Sequence, residues 1–270
     1  MAIMKKVIVL HSPIRGSLFL SMLCVLAIAA SGQTEQTQAQ RVADAVEKVK
    51  HGNFGLVQVE EIARAQAAQA IPALKEQFVR SQDANKRAKI ADALVRLGAE
   101  DEVYWDFLVK QAMLAVESDA PYPGSFDPQG RTVRRRLSPE FVEWAKAHHL
   151  PADVAAQTVA YELPGDLMFL AETGDQRGLP LLRRAMFSDN YVIQAVAAKG
   201  LAKLQDNTSV PIIVAACQKA PADAAPAIAE ALVYFDDPQA QIAAGMYLPK
   251  DFSKALREPM GVPANDPFAQ

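Results

Sequence analysis

Cysteine is nearly missing from this chain: Cys24 and Cys217 are the only two in 270 residues. Cys24 falls in an apolar segment near the start, so the rest of the chain has one thiol and no internal disulfide. Its stability has to come from packing. Cys217, within "VPIIVAACQ", is expected to behave as a small buried hydrophobe. Histidine is also scarce, at four. His148 and His149 are adjacent, and neighbours on a helix point about 100° apart, so one ion cannot readily take both. The H-E-x-x-H spacing of a helical zinc site is absent. A place at a helix C-terminus, where His⁺ suits the dipole, is the better reading of the pair.

Other absences narrow the chemistry. No G-x-S-x-G, C-x-x-C, G-x-x-x-x-G-K-[ST] or G-x-G-x-x-G occurs, which removes the common signatures of hydrolase, redox and nucleotide sites. Glu60-Glu61, Asp101-Glu102 and Asp236-Asp237 stand at expected turns or helix starts and read as caps and solvated surface. "Asp127-Pro128-Gln129-Gly130" is turn chemistry. No catalytic residue, metal or cofactor is expected, although residues far apart in sequence can still converge. Positive charge is not in excess, with 28 Lys and Arg against 31 Asp and Glu and a formal net charge of −3. Nothing here calls for nucleic acid or an anionic membrane.

Long apolar runs are lacking too. The longest, "SLFLSMLCVLAIAA" from Ser17 to Ala30, is shorter than the ~20 residues of a membrane span. Lys5, Lys6 and Arg15 precede it, and Ala29, Ala30, Ser31 and Gly32 lead out into "QTEQTQAQ". That is the layout of a secretory signal peptide over 1–32, with an uncleaved anchor as the alternative. Met22 and Leu23 are too large for a lipoprotein site at Cys24. The expected location is outside the cytoplasm, periplasmic or secreted, with no membrane span in the processed chain. Its removal would take three positive charges and no acid.

What is present is a repeat. Leu170, Leu201 and Leu232 are spaced by 31, as are Asp175, Asp206 and Asp237. Leu179-Pro180 and Val210-Pro211 keep the same spacing, and Pro164 and Pro226 lie two periods apart. Upstream, Ile62 precedes Ile71-Pro72 as Leu170 precedes Leu179-Pro180, and Leu94 lies 32 after Ile62. Each unit reads as two helices. "GLPLLRRAMF" begins with Pro180 in its first turn, where a missing N–H costs least. "SDN" at 188–190 supplies capping side chains. In "YVIQAVAAKGLAKL", Val192, Ala195, Val196, Gly200 and Leu204 recur at helical period and predict the buried face. One such pair cannot bury its apolar side, so stacking is required. The fold class expected is all-α, an α-solenoid of helix pairs with period about 31. Its expected parts are helical repeats over 33–116, a Pro/Gly/Arg-rich insertion over 117–137, further repeats over 138–248 and a Pro-rich tail over 249–270.

Residues 62–108 and 165–245 resemble the HEAT-like repeats named after phycobilisome lyases. The resemblance is carried upstream by Ile71, Pro72, Leu74, Asp83, Arg87, Ala91 and Leu94. Downstream it is carried by Asp175, Leu179, Pro180, Leu182, Asp189, Ala197, Leu201, Asp206, Val210 and Pro211. Gln194 stands where the pattern usually has Arg, so any Asp–Arg ladder along the stack is incomplete. The resemblance implies an armadillo-like helical scaffold and, as an alternative, a lyase- or chaperone-like factor. It implies no catalytic residue.

Aromatics make up only 7% of the chain, yet both tryptophans flank the insertion. "ESDAPYPGSFDPQGR" has no apolar period and cannot be a helix or a central strand, and "RTVRRRL" follows it. Candidate binding residues are Trp105, Tyr122, Phe126, Arg131, Arg134, Arg135, Arg136 and Trp144, a combination typical of interface anchors. The bland alternative for the arginines is a solvated face paired with local acids. After them, Ser138 is the expected N-cap of a helix that opens with Pro139, stops at Pro151 and carries Phe141, Trp144, Ala145 and His148 on one face. The tail is expected to cap the last repeat through Phe252 and Leu256 and then become disordered, or to act as a peptide arm. Together these readings predict an exported non-enzymatic scaffold for a protein or peptide partner. An open aromatic groove would favour that role; a polar cluster converging from several repeats would favour catalysis.

Overall fold

The computed structural model describes residues 38–125, 136–248 and 266–268. The expected signal peptide, Phe126, Arg131, Arg134, Arg135, Phe252 and Leu256 therefore lie outside the described residues, and Arg136 is described by its backbone alone.

The described residues are mostly helical. Helix α1 spans 38–50. It is followed by α2 (Leu56–Arg64), α3 (Ile71–Arg80), α4 (Ala84–Arg96) and α5 (Glu102–Glu117). Then come α6 (Pro139–Ala147), α7 (Ala152–Gln157), α8 (Leu163–Glu172), α9 (Leu179–Ala185), α10 (Tyr191–Lys203), α11 (Val210–Lys219), α12 (Ala225–Ala229) and α13 (Pro238–Tyr247). Helices α2 and α3 lie on α4, which also touches α5 and α8; α8 packs on α5 and α10; α10 packs on α9 and α12; α11 meets α12 and α13. Most of these contacts join helices close in the sequence, while α5 meets α8 across the insertion.

One piece of local punctuation occurs three times. Gln66, Gly174 and Gln205 have left-handed backbones, with φ of 51°, 66° and 52°. Each is followed by a one-turn 3₁₀ segment, Ala68–Ala70, Gln176–Gly178 or Asn207–Ser209. Each segment leads into a helix with proline in its first turn, at Pro72, Pro180 and Pro211. The left-handed residue ends the preceding helix. Glycine takes that conformation freely, whereas glutamine pays for its Cβ. Both glutamines recover some of this cost through the side chain: Gln66 Nε2 donates to Ala63 O at 3.0 Å and Gln205 Nε2 to Ala202 O at 2.8 Å. The long helices α4 and α10 are capped alike, Asp83 accepting from Lys86 N and Asn190 from Val192 N, each at 3.0 Å.

The predicted buried face of α10 needs correction. Ala195 and Gly200 are buried, but Val192, Val196 and Leu204 are only half-buried. The fully enclosed positions are Ile193, Ala197, Ala198, Leu201 and Ala202. Because α10 is packed by α8, α9 and α12 at once, its buried arc is wider than one stripe and is centred elsewhere.

A second, small core of Ala120, Phe141, Ala145, Ala155, Ala156 and Val159 forms around the middle of the chain, with Trp144 against it. Two short antiparallel strands, β1 (Gly124–Ser125) and β2 (Arg136–Leu137), bring the ends of the insertion together, Gly124 opposite Leu137. Ser138 caps α6 as expected, its Oγ accepting from Phe141 N at 3.1 Å. A π-turn at Thr158–Glu162 joins α7 to α8. Pro164 lies just beyond, and the wider turn absorbs a ring that lacks an N–H and would crowd the preceding carbonyls.

Candidate functional site

Helix α4 places Lys89, Asp92 and Arg96 at three- and four-residue steps, hence on one face. That face meets Glu60 of α2 and Glu172 at the end of α8. The Lys89 ammonium lies 2.6 Å from Glu60 Oε2 and 3.0 Å from Asp92 Oδ2, and it also bonds Glu172 Oε2. Arg96 Nη1 reaches Glu60 Oε2 at 2.9 Å and Asp92 Oδ2 at 3.4 Å. The Phe169 ring centre is 5.5 Å from the ammonium. Asp92 is fully buried, and its Oδ1 has no hydrogen-bond partner among the described residues.

Desolvating five ionised groups is costly, by several kcal/mol each unless paired. The pairing decides which charges survive. Burial opposes the charge on Lys89, but Asp92, Glu172 and Glu60 outweigh it and hold the ammonium above its usual range. Burial likewise raises Glu60, yet Lys89 and Arg96 pull it down to about 2. Glu172 goes the other way: burial, reinforced by Asp92, exceeds the attraction of Lys89 and pushes its carboxyl up to about 7. The cluster is therefore a clamped ammonium with one carboxyl poised to exchange a proton.

Three carboxylate oxygens, from Glu60, Asp92 and Glu172, lie within 4.8 Å of one another. Lys89 already stands among them as the counter-ion, so an added cation would have to displace it. The sequence reading of Glu60 as solvated is corrected here, since α4 brings it two cationic partners, Lys89 and Arg96, beside Arg64 of its own helix. A signal did exist: in "AKIADALVRL", Lys89 and Asp92 interrupt the apolar face of a helix at i, i+3. A charged pair there calls for further partners.

The network continues outward to the C-terminus. Glu60 Oε1 accepts from Arg64 Nε at 2.5 Å, and Arg64 Nη2 donates to the main-chain carbonyl of Phe268 at 3.4 Å. Lys203 Nζ at the end of α10 donates to Asp266 Oδ1 and Oδ2 at 3.3 and 3.2 Å, and it lies 5.6 Å from the Phe268 ring centre. Phe268 N donates to Asp266 Oδ1 at 3.0 Å, closing a local turn over Pro267. Phe268 also packs against the main core. This end of the tail therefore lies on α2 and α10; the expected capping residues Phe252 and Leu256 lie outside the described residues.

Of the sequence-predicted site residues, Trp105, Tyr122 and Trp144 are described with their side chains. Trp105 is buried in the main core, with the Arg177 guanidinium 4.4 Å above its ring. Arg177 is itself tied to Glu102 and Asp175, each at 2.7 Å. Both residues line a surface cavity of about 290 Å³ that also includes Asp101 and Gly98. Tyr122 is buried, edge-on to Tyr191 at 5.7 Å. Trp144 is half-buried on the smaller core, its Nε1 donating to Asp119 Oδ1 at 3.0 Å. Trp105 and Trp144 thus belong to different core clusters. Arg136 pairs by its backbone with Ser125.

The histidine pair lies at the end of α6 as expected. His148 Nδ1 is 2.8 Å from Trp144 O, and its ring stacks on Trp144 at 4.6 Å. Cys217 is buried, and burial pushes its thiol up to about 12. The Asp–Arg ladder is not what occupies Arg87. Its guanidinium lies between the rings of Phe78 and Phe107, at 4.9 and 4.6 Å, whereas Gln194 Nε2 donates to Ser188 O at 2.7 Å. Among the described residues no helix is long and apolar enough to cross a membrane. No protein family, no curated protein and no solved structure matches this chain.

Proposed function

We propose that this chain is an exported, non-catalytic scaffold of the HEAT-like type, in which stacked helix pairs present a surface to a peptide segment of a partner protein. The recurrent left-handed residue, 3₁₀ turn and proline-led helix support the repeat reading, as does the succession of near-neighbour helix contacts. The observation that carries the functional reading is the seating of Asp266–Phe268. A short turn of the tail rests across two helices from distant parts of the chain, held by one lysine, one arginine and an aromatic contact. A solenoid groove holds a peptide in that way.

The insertion is a second contact surface in this reading. Arg131, Arg134, Arg135 and Arg136 follow a Pro/Gly-rich stretch, and bidentate guanidinium contacts suit a carboxylate-bearing partner. The rival, a lyase- or chaperone-like factor, is favoured by the convergence of Glu60, Lys89, Asp92, Arg96 and Glu172 from three helices. Lys89, its amine, is held protonated by three carboxylates and so is a poor nucleophile or base.

The test is capture from a cell-envelope extract by residues 33–270 and by a version with 126–135 replaced by Asn-Gly, a turn that suits two closely paired strands. The captured protein is then purified and titrated against both forms. A partner that binds purified chain saturably is expected, more weakly to the shortened form. Failure of every captured protein to bind would contradict the scaffold reading.

A further inference from the structure

We infer that Arg64, Gly174 and Lys203 form a recognition site for a peptide carrying a carboxylate two residues before an aromatic ring. Asp266–Phe268 is its intramolecular occupant. The inference rests on the scaffold reading and names the partner chemistry of that surface.

The receptor side is ordered by contacts that do not involve the tail. Arg64 is fixed by Glu60 at 2.5 Å, and Glu60 is in turn anchored by Lys89 and Arg96. The Lys203 stem runs along Gly174, a residue with φ of +66°; a Cβ there would stand 3.2 Å from Lys203 Cε. Glycine therefore provides both the left-handed turn and the space for the lysine. Among the described residues the ion partner of Lys203 is Asp266. Without the tail, the Lys203 ammonium would lose its ion partner among the described residues, and Arg64 Nη2 would lose the carbonyl it donates to. That combination selects an anionic group.

The ligand side is compact and self-organised. Asp266 accepts from Phe268 N, Pro267 fixes the backbone between them, and the Phe268 ring faces Lys203. Little conformational freedom is left to lose on binding, which favours a short motif. Arg64 takes a main-chain carbonyl, a contact any residue can offer. Specificity thus rests on the carboxylate and the ring. As part of the same chain, the tail competes at an effective concentration on the order of millimolar. A partner bearing the same motif in several copies, or on a larger interface, would displace it.

The test uses the full processed chain with Asp266→Ala and Phe268→Ala, which vacates the site, and a fluorescein-labelled peptide of residues 262–270 followed by anisotropy. The vacated chain is expected to bind the peptide at least about tenfold more tightly than the native chain, whose tail competes. Adding Lys203→Ala to the vacated chain, or changing Asp266 of the peptide to Asn, should remove most of that binding. Circular dichroism and urea midpoints check that the variants fold; D266N alone is the milder substitute if the double variant does not. Equal weak binding by vacated and native chains, or binding indifferent to Lys203, would overturn the inference. A partner that still binds chain lacking a functional Lys203 site would leave the scaffold reading standing and reject this site alone.

Discussion

Lys89 donates to the carboxylate of Glu172 across 83 residues of sequence, inside the protein, and the bond ties α4 to α8. The same ammonium serves Glu60 and Asp92, so one side chain neutralises carboxylates from three helices. Replacing Lys89 by Met keeps the bulk and removes the charge. The expected loss is about 3–5 kcal/mol in urea unfolding, because buried carboxylates are left uncompensated. Adding Glu172→Gln should recover part of it, since fewer charges then remain without a partner. A loss below about 1 kcal/mol for Lys89→Met would show that the cluster is not a structural node.

The raised carboxyl of Glu172 makes stability depend on pH in a defined window. Its folded value of about 7 lies above the ordinary 4.5, so the folded chain holds the proton more tightly. This contribution is full below about pH 4.5, declines as pH rises and is gone above about pH 7. Glu60, held down at about 2, acts oppositely and only at lower pH, its contribution being lost as pH falls from 4.5 towards 2. Asp166, raised to about 6 by burial and by Glu162, adds a slope of the same sign as Glu172. The difference between native chain and Glu172→Gln isolates the one group. The substitution should flatten the fall between pH 4.5 and 7 by on the order of 2 kcal/mol, read from urea midpoints. Parallel curves would contradict the assignment.

Gly200 allows α10 to approach α8 and α9 closely. A Cβ on it would stand 2.9 Å from the Cβ of Ala171 and 2.9 Å from Leu182 Cδ2. Alanine would gain up to about 1 kcal/mol in helix propensity. Overpacking in a filled core costs about 1–3 kcal/mol, and although the Leu182 methyls can shift, the Cβ of Ala171 moves only with α8. Gly200→Ala is therefore expected to lower stability by about 1–2 kcal/mol, as measured by thermal or urea unfolding. A stabilised variant would show that the helices separate without penalty.

The arginines of the insertion are assigned to partner contact. Simultaneous Arg134→Ala, Arg135→Ala and Arg136→Ala should weaken binding of the captured partner about tenfold or more, with unfolding unchanged. Unaltered affinity would make them a solvated face.

The helical architecture was legible in the sequence because its markers are local. Pro72, Pro180 and Pro211 each open a helix, and the spacing of Leu170, Leu201 and Leu232 repeats a unit whose caps can be named. The buried face of α10 was misjudged because three neighbours enclose it, which one helical stripe cannot report. The ionic cluster was hidden for a related reason. Glu60 looks like surface until α4 covers it, and Glu172 finds Lys89 only through the fold. The docking of Asp266 and Phe268 on α10 and α2 joins residues more than sixty positions apart, and no periodicity in the tail encodes that.

The central claim is that a peptide segment sits on Arg64 and Lys203, and carbodiimide cross-linking with mass spectrometry tests it most directly. This reagent joins an amine to a carboxylate only when they touch, as Lys203 Nζ and Asp266 do at 3.2 Å. The account predicts a Lys203–Asp266 linkage in the native chain. It also predicts that an excess of the 262–270 peptide suppresses this linkage and produces a Lys203–peptide product. Absence of the intramolecular linkage, or a linkage that the peptide leaves unchanged, would contradict it.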